Sequence, residues 1–127
     1  MRIHGIGIDV VEVDRIASAI DRHGELLLAR LFTAAERAYC DSQKNPVLHY
    51  AARFAAKEAA SKALGTGIGG DAGWLDLEVT RDPSGAPRLL LTGAAAEFAK
   101  RNGITEVTIS LSHASAYAAA NAVAVAC

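Results

Sequence analysis

Apolar and polar positions change their period along this chain, and each change marks an element. The apolar run Ile3-His4-Gly5-Ile6-Gly7-Ile8-Asp9 predicts a buried strand closed by an acid. Val13, Ile16, Ala17 and Ile20 then recur at spacings of three and four, which predicts a helix that Gly24 breaks or bends before Leu26 to Phe32 resume it. Thr33-Ala34-Ala35-Glu36 has the form of a capping box, opening a helix through about Cys40. After the polar loop 41–47, an Ala-, Lys- and Glu-rich helix runs from about His49 to Leu64 and stops at Gly65. On that helix Ala52, Ala56, Ala59, Ala60 and Ala63 fall on one smooth stripe, suited to close packing. Arg53, Lys57 and Ser61 share a second stripe, and Glu58 and Lys62 a third beside it.

The pattern then turns strand-like. A mobile Gly-rich loop is expected from Gly65 to Gly73, a strand from Trp74 to Thr80, and a turn at Asp82-Pro83-Ser84-Gly85. Pro87 to Leu91 returns as its partner, and residues 93–102 form a short helix ended by Gly103. Thr105 to Leu111 and Tyr117 to Val125 read as a closing hairpin bent at Ser112-His113-Ala114-Ser115. The order strand, helices, hairpin, helix, hairpin predicts an α+β fold with mainly antiparallel pairing, organised as one domain over residues 1–127.

Composition narrows the functional classes. A formal charge of −1 argues against general nucleic-acid binding, so any anion site is local. Cys40 and Cys127 do not make a disulfide framework, and reduced thiols suit a cytoplasmic protein. The first residues lack a long apolar signal core, and the Ala/Val run from Ala114 to Cys127 is interrupted by polar residues and too short to span a bilayer. Much of the apolar content is alanine, which buries little area and leaves room for self-association.

Two acids, Asp9 at a strand end and Glu58 on a cation-lined helix, carry the chemistry. Mg²⁺ takes one or two carboxylates and fills its octahedron with water and phosphate oxygens, while Arg and Lys hold the remaining phosphate charge. Each piece has a plainer reading that stays open. Asp9-Val10-Val11-Glu12 also fits a capping box, and Glu58 with Lys62 also fits an exposed helix pair. Gly65-Thr66-Gly67-Ile68-Gly69-Gly70 follows a helix, where the dipole end repels phosphate, and also fits a simple helix stop. Gly5-Ile6-Gly7 lacks the third glycine of a dinucleotide fingerprint, and His113 is isolated at a turn.

Taken together, three blocks resemble the holo-acyl-carrier-protein synthases, the small type of 4′-phosphopantetheinyl transferase. They are Gly5-Ile6-Gly7-Ile8-Asp9 through Ile16, Ala52-Arg53-Phe54-Ala55-Ala56-Lys57-Glu58 through Ile68, and Ile109-Ser110-Leu111-Ser112-His113 followed by Tyr117-Ala118. Phe32-Thr33-Ala34-Ala35-Glu36 resembles the family's intervening motif, so the likeness covers nearly the whole chain in order.

The resemblance implies transfer of the 4′-phosphopantetheine arm of coenzyme A to a serine of acyl carrier protein. It implies that Asp9 and Glu58 bind Mg²⁺, that Glu58 or a water it orients takes the serine proton, and that Lys62 neutralises phosphate charge. Arg53, Lys57, Lys62, Gly65, Thr66 and His113 resemble the family's coenzyme A contacts. A homotrimer is implied, with sites between subunits and Asp9 and Glu58 contributed by the same or different chains. Arg15 and Arg22 on the first helix, with His23 beside them and Arg30 further along, suit an acidic carrier, although Asp14, Asp21 and Glu25 dilute that patch. A coenzyme A-binding module without catalysis would keep the cations but not need both acids, and a purely structural oligomer would bind no coenzyme A.

Overall fold

The computed structural model describes residues 1–127. Strand β1 (Arg2–Glu12) leads into helix α1 (Val13–Leu31), α2 (Ala34–Asp41) and the long α3 (Pro46–Leu64). A 3₁₀ turn (Trp74–Asp76), the hairpin β2 (Leu77–Arg81) and β3 (Pro87–Leu91), helix α4 (Gly93–Arg101), β4 (Ile104–His113) and β5 (Tyr117–Ala126) complete the chain. One antiparallel sheet has the order β1-β5-β4, and β2-β3 forms a second. The α+β expectation with antiparallel pairing holds. No helix is long and apolar enough to cross a membrane.

Helix α3 is the axis of the core because its alanine stripe lets backbones approach. Ala52, Ala56, Ala59, Ala60 and Ala63 are all buried, packed with small residues of β5 such as Ala120, Ala122 and Ala124. Gly5 and Gly7 complete the fit. A Cβ at Gly7 would lie 2.0 Å from the Ala59 carbonyl oxygen, and one at Gly5 2.2 Å from that of Ala63. The glycines of β1 therefore serve helix-on-strand contact and not a nucleotide turn. His4 Nε2 donates to the Leu64 carbonyl at 3.0 Å, tying the start of β1 to the end of α3.

Several local expectations change. Strand β1 is longer than residues 3–9 and is not buried on both sides. Gly5, Gly7, Asp9 and Val11 face inward, whereas Ile6, Ile8 and Val10 are 70%, 62% and 59% exposed. The apolar face of this strand points out because only glycine and alanine fit beneath α3. Strand β2 starts at Leu77, since Trp74–Asp76 coils as a 3₁₀ turn closed by Asp76 Oδ2 accepting from Gly73 N. Gly24 kinks α1 at φ 56°, a backbone region open to glycine. The segment after α3 is a hydrogen-bonded turn, with the N–H groups of Gly65, Thr66 and Gly67 converging on the Ser61 carbonyl and Gly69 bridged to Ala72.

The expected capping box at Thr33 forms and does more than cap. Glu36 accepts from Thr33 N, from Lys57 Nζ at 2.7 Å and from Val79 N at 2.7 Å. Lys57 also donates to the Trp74 carbonyl at 2.8 Å. One buried ion pair thus joins α2, α3, the 3₁₀ turn and β2. Cys40 and Cys127 are free, and burial pushes the Cys40 thiol up to about 12.

Candidate active site

Alternation along β1 decides where Asp9 points. It lies two residues beyond Gly7 on the face that meets α3, so its carboxylate is carried toward Glu58 and Lys62. Strand β1 continues to Glu12, which precedes α1 without a side-chain cap, so the Asp9–Glu12 capping box does not form. Lys62 donates to Asp9 Oδ1 at 3.3 Å and to the Ile8 carbonyl at 2.9 Å. It makes no ion pair with Glu58, so the plain helix-pair reading is also replaced.

Asp9 and Glu58 line one groove of the same chain, near enough for the Asp9 charge to act on Glu58. Desolvation raises the Glu58 carboxyl above its ordinary value, the negative charge of Asp9 raises it further, and Lys62 opposes both. Both acids line a groove of about 600 Å³ between β1, α1 and α3. Its walls are apolar, including Ile16, Ile20, Leu27 and Leu31, with Phe54 and Trp74 stacked at 5.0 Å. Arg15 and Arg30 stand at its edge. Arg22 lies outside this groove, in an exposed concavity with Asp14, Arg15 and His23.

Two carboxylates without a third His, Cys, Asp or Glu close enough to complete a protein cage suit a hard ion that keeps water and phosphate ligands. The donor set therefore fits Mg²⁺ better than an ion held wholly by protein.

The second stripe of α3 is not the solvated cationic face its sequence suggests. Arg53, Lys57 and Ser61 are 3%, 0% and 0% exposed. Ser61 Oγ donates to the Glu58 carbonyl at 2.8 Å. Lys57 is consumed by Glu36 and Trp74, and burial pulls its ammonium below the ordinary range while Glu36 pulls it back. Arg53 lies over the Tyr39 ring at 4.3 Å, and its buried Nε has no hydrogen-bond partner. Thr66 Oγ1 donates to the Gly67 carbonyl at 2.7 Å, and its N–H and that of Gly65 already donate to Ser61.

A separate cavity of about 310 Å³ gathers His49, Arg53, Arg81 and His113, with no carboxylate in its lining. The His49 and His113 rings meet edge to face at 5.4 Å. Desolvation, then His113, Arg53 and Arg81, lower the His49 pKa. This cavity and the acid-bearing groove share no lining residue. Sequence reading missed His49 and Arg81. His49 precedes Arg53 by four on α3, so helical spacing alone could have found it. Arg81 reaches the cavity from β2 and carries no local signal. The roles of Phe54 and Trp74 as groove wall were also missed, because their stacking joins α3 to a distant turn.

This architecture matches known proteins along its length. Residues 5–122 match the family model described as the 4′-phosphopantetheinyl transferase superfamily. Holo-[acyl-carrier-protein] synthase of Desulforudis audaxviator (strain MP104C) is 54% identical over 123 residues, spanning 97% of this chain and 93% of that protein. The crystal structure of holo-[acyl-carrier-protein] synthase from Neisseria meningitidis has TM-score 0.91 and 33% identity, covering 97% of this chain and 98% of that one. The Helicobacter pylori holo-[acyl-carrier-protein] synthase, solved in complex with coenzyme A, has TM-score 0.84 and 32% identity, covering 94% of this chain and 99% of that one. The agreement in sequence, fold and extent shows that the chain belongs to the 4′-phosphopantetheinyl transferase superfamily.

Proposed function

We infer that this chain is a holo-acyl-carrier-protein synthase acting as one domain over residues 1–127. It transfers 4′-phosphopantetheine from coenzyme A to a serine of apo-acyl carrier protein. The serine Oγ forms a bond to the pantetheine-side phosphorus, the bond from that phosphorus to the bridging oxygen breaks, and adenosine 3′,5′-bisphosphate leaves. Fatty-acid or polyketide biosynthesis is the setting that an acyl carrier substrate implies, and the unpaired thiols of Cys40 and Cys127 suit the cytoplasm.

The observation that carries this reading is that Asp9 and Glu58 line one groove, with Lys62 paired to Asp9 beside it. Asp9 and Glu58 would hold Mg²⁺, which when bound offsets charge on the pyrophosphate oxygens. Glu58, with its raised carboxyl pKa, is the candidate acceptor of the serine proton, directly or through a water it orients. Lys62 is a mobile point charge for the phosphoryl oxygens. The apolar groove gives the carrier an approach past Arg15 and Arg30, with Arg22 on the adjoining surface for an acidic partner.

The exposed Ile6, Ile8 and Val10 face of β1 supports the homotrimer, since a monomer gains nothing from that apolar strand in water. In such an assembly coenzyme A spans two chains. Asp9, Glu58 and Lys62 of one chain take the pyrophosphate, and the acid-free cavity with Arg53 and His113 on a neighbour takes the nucleotide end. Arg53 supports this assignment through its unpartnered Nε. Gly65 and Thr66 line neither the groove nor the acid-free cavity, and would reach coenzyme A only from the turn after Lys62. Lys57 contributes by fixing α3 and not by touching coenzyme A, because its donors are engaged in the interior.

The test is mass spectrometry of apo-acyl carrier protein incubated with the chain, coenzyme A and Mg²⁺. A pantetheine-arm mass gain that EDTA abolishes is expected. An unmodified carrier under those conditions would overturn the assignment. Light scattering of the free protein tests the trimer, with a monomeric mass counting against it.

A further inference from the structure

Asp9 has a cation at hand before any ligand arrives. The Lys62 ammonium sits between the Asp9 carboxylate and the Ile8 carbonyl, at 3.3 and 2.9 Å. These are hard oxygen donors, the class a divalent ion also selects. The Lys62 side chain is half exposed, whereas that of Asp9 is 19% exposed. The acid is thus fixed and sheltered, and its counter-charge is on a flexible stem free to move toward solvent. Glu58 has no ion pair of its own, so Lys62 is the one cation serving both acids.

We propose that Lys62 is a placeholder cation, which neutralises Asp9 in the ligand-free chain and moves to a phosphate oxygen when a divalent ion and coenzyme A bind together. This rests on the reading of Asp9 and Glu58 as metal ligands. Two consequences follow from charge alone. A divalent ion entering by itself must displace or approach an ammonium already seated on Asp9, so its affinity is held down. Coenzyme A supplies the ammonium with a new anionic partner, so ion and diphosphate ester bind synergistically. Linkage makes that synergy reciprocal. The placeholder also spares the free chain two close unneutralised carboxylates. A static clamp between β1 and α3 would repel the ion equally with and without coenzyme A, and so would give no synergy that depends on Lys62.

The test is Mn²⁺ binding to the full chain, read from the electron paramagnetic resonance signal of the free ion, with and without coenzyme A and with no carrier present. For the native chain, weak binding that coenzyme A strengthens is expected. For Lys62→Met, Mn²⁺ alone should bind about ten-fold tighter, as expected from removing one like charge at a partly solvated site. The added gain from coenzyme A should shrink. Lys62→Arg, which keeps the charge, should keep the weak binding of the native chain. Lys62→Gln gives a second neutral variant if the methionine protein does not fold. Neutral variants that bind Mn²⁺ alone no tighter than the native chain would overturn the placeholder. If coenzyme A still promoted Mn²⁺ binding to the native chain and Asp9→Ala abolished it, the metal assignment would survive that failure. No Mn²⁺ binding by the native chain even with coenzyme A would overturn both.

Discussion

Two lysines five positions apart on α3 each pair with a carboxylate, and they do opposite work. Lys57 and Glu36 are 0% exposed on both sides, meet at 2.7 Å and engage two further elements of the fold, the 3₁₀ turn and β2. Lys62 and Asp9 meet at 3.3 Å with the lysine 51% exposed, at the edge of a groove. The interior pair is dry, so its charges interact strongly but neither can be given up without leaving the other stranded. The groove pair is wet, so its attraction is weak and its lysine is free to change partners. Burial, and not residue type, separates a fastening from a reactive group. Helical rotation sets this up, because five residues turn Lys57 inward and Lys62 toward β1.

The largest expected effect breaks the interior pair. Lys57→Met should cost about 3–5 kcal/mol of folding stability, read from urea unfolding, because it strands Glu36. The double variant Lys57→Met/Glu36→Gln should recover part of that loss. A Lys57→Met protein as stable as the native chain would erase the contrast. On the wet side, Asp9→Ala or Lys62→Met should lower turnover of apo-carrier protein about 100-fold or more with an unchanged melting midpoint, as expected for removal of transition-state charge stabilisation. A drop in stability with no loss of turnover would reverse the roles assigned to the two lysines.

A smaller effect tests the packing that brings the wet pair together. Gly7→Ala places a Cβ 2.0 Å from the Ala59 carbonyl oxygen, so β1 and α3 must part. About 1–3 kcal/mol of destabilisation is expected for such overpacking. Turnover should fall as well, because Asp9 moves away from Glu58. Native-like melting and activity in that variant would show that the close approach is dispensable.

The smallest effect sharpens the electrostatics. The Glu58 pKa is raised from 4.5 by burial first and Asp9 second. The folded chain therefore holds this proton more tightly than the unfolded chain. The Glu58 contribution to stability is fully present below the unfolded pKa and is lost as pH rises through the folded one. On the proposed metal role of Glu58, divalent-ion affinity has the opposite slope, since a protonated carboxyl is no ligand, and should weaken on acidification. Carboxyl-carbon NMR of Asp9→Asn should show Glu58 titrating at lower pH than in the native chain. An unmoved midpoint would mean that the two acids do not sense each other.

The sequence was most readable where a local signal and the tertiary outcome coincide. Thr33 and Glu36 announced a capping box that exists, and Gly65 announced the end of α3. The alanine stripe announced close packing that Gly5 and Gly7 complete. It was least readable for side chains whose surroundings come from distant segments. Lys57 reads as a free cation because its partners Glu36 and Trp74 lie 21 and 17 residues away. The outward isoleucines of β1 read as buried because the pattern records that one face is apolar and not which face meets the helix. His49, Arg81 and His113 form one cavity from three elements, and only His49 carries a spacing clue.

By itself the sequence determined the element types, their order and the residues able to do oxyanion and metal chemistry, because propensity, period and side-chain chemistry are local properties. Tertiary structure decided that Asp9 and Glu58 belong to one chain's groove, that Lys62 attends Asp9, and that Lys57 is withdrawn into the core. Those outcomes depend on how closely α3 lies on β1. That distance is set by glycine meeting helix backbone across more than 50 intervening residues, which no local window of the chain encodes.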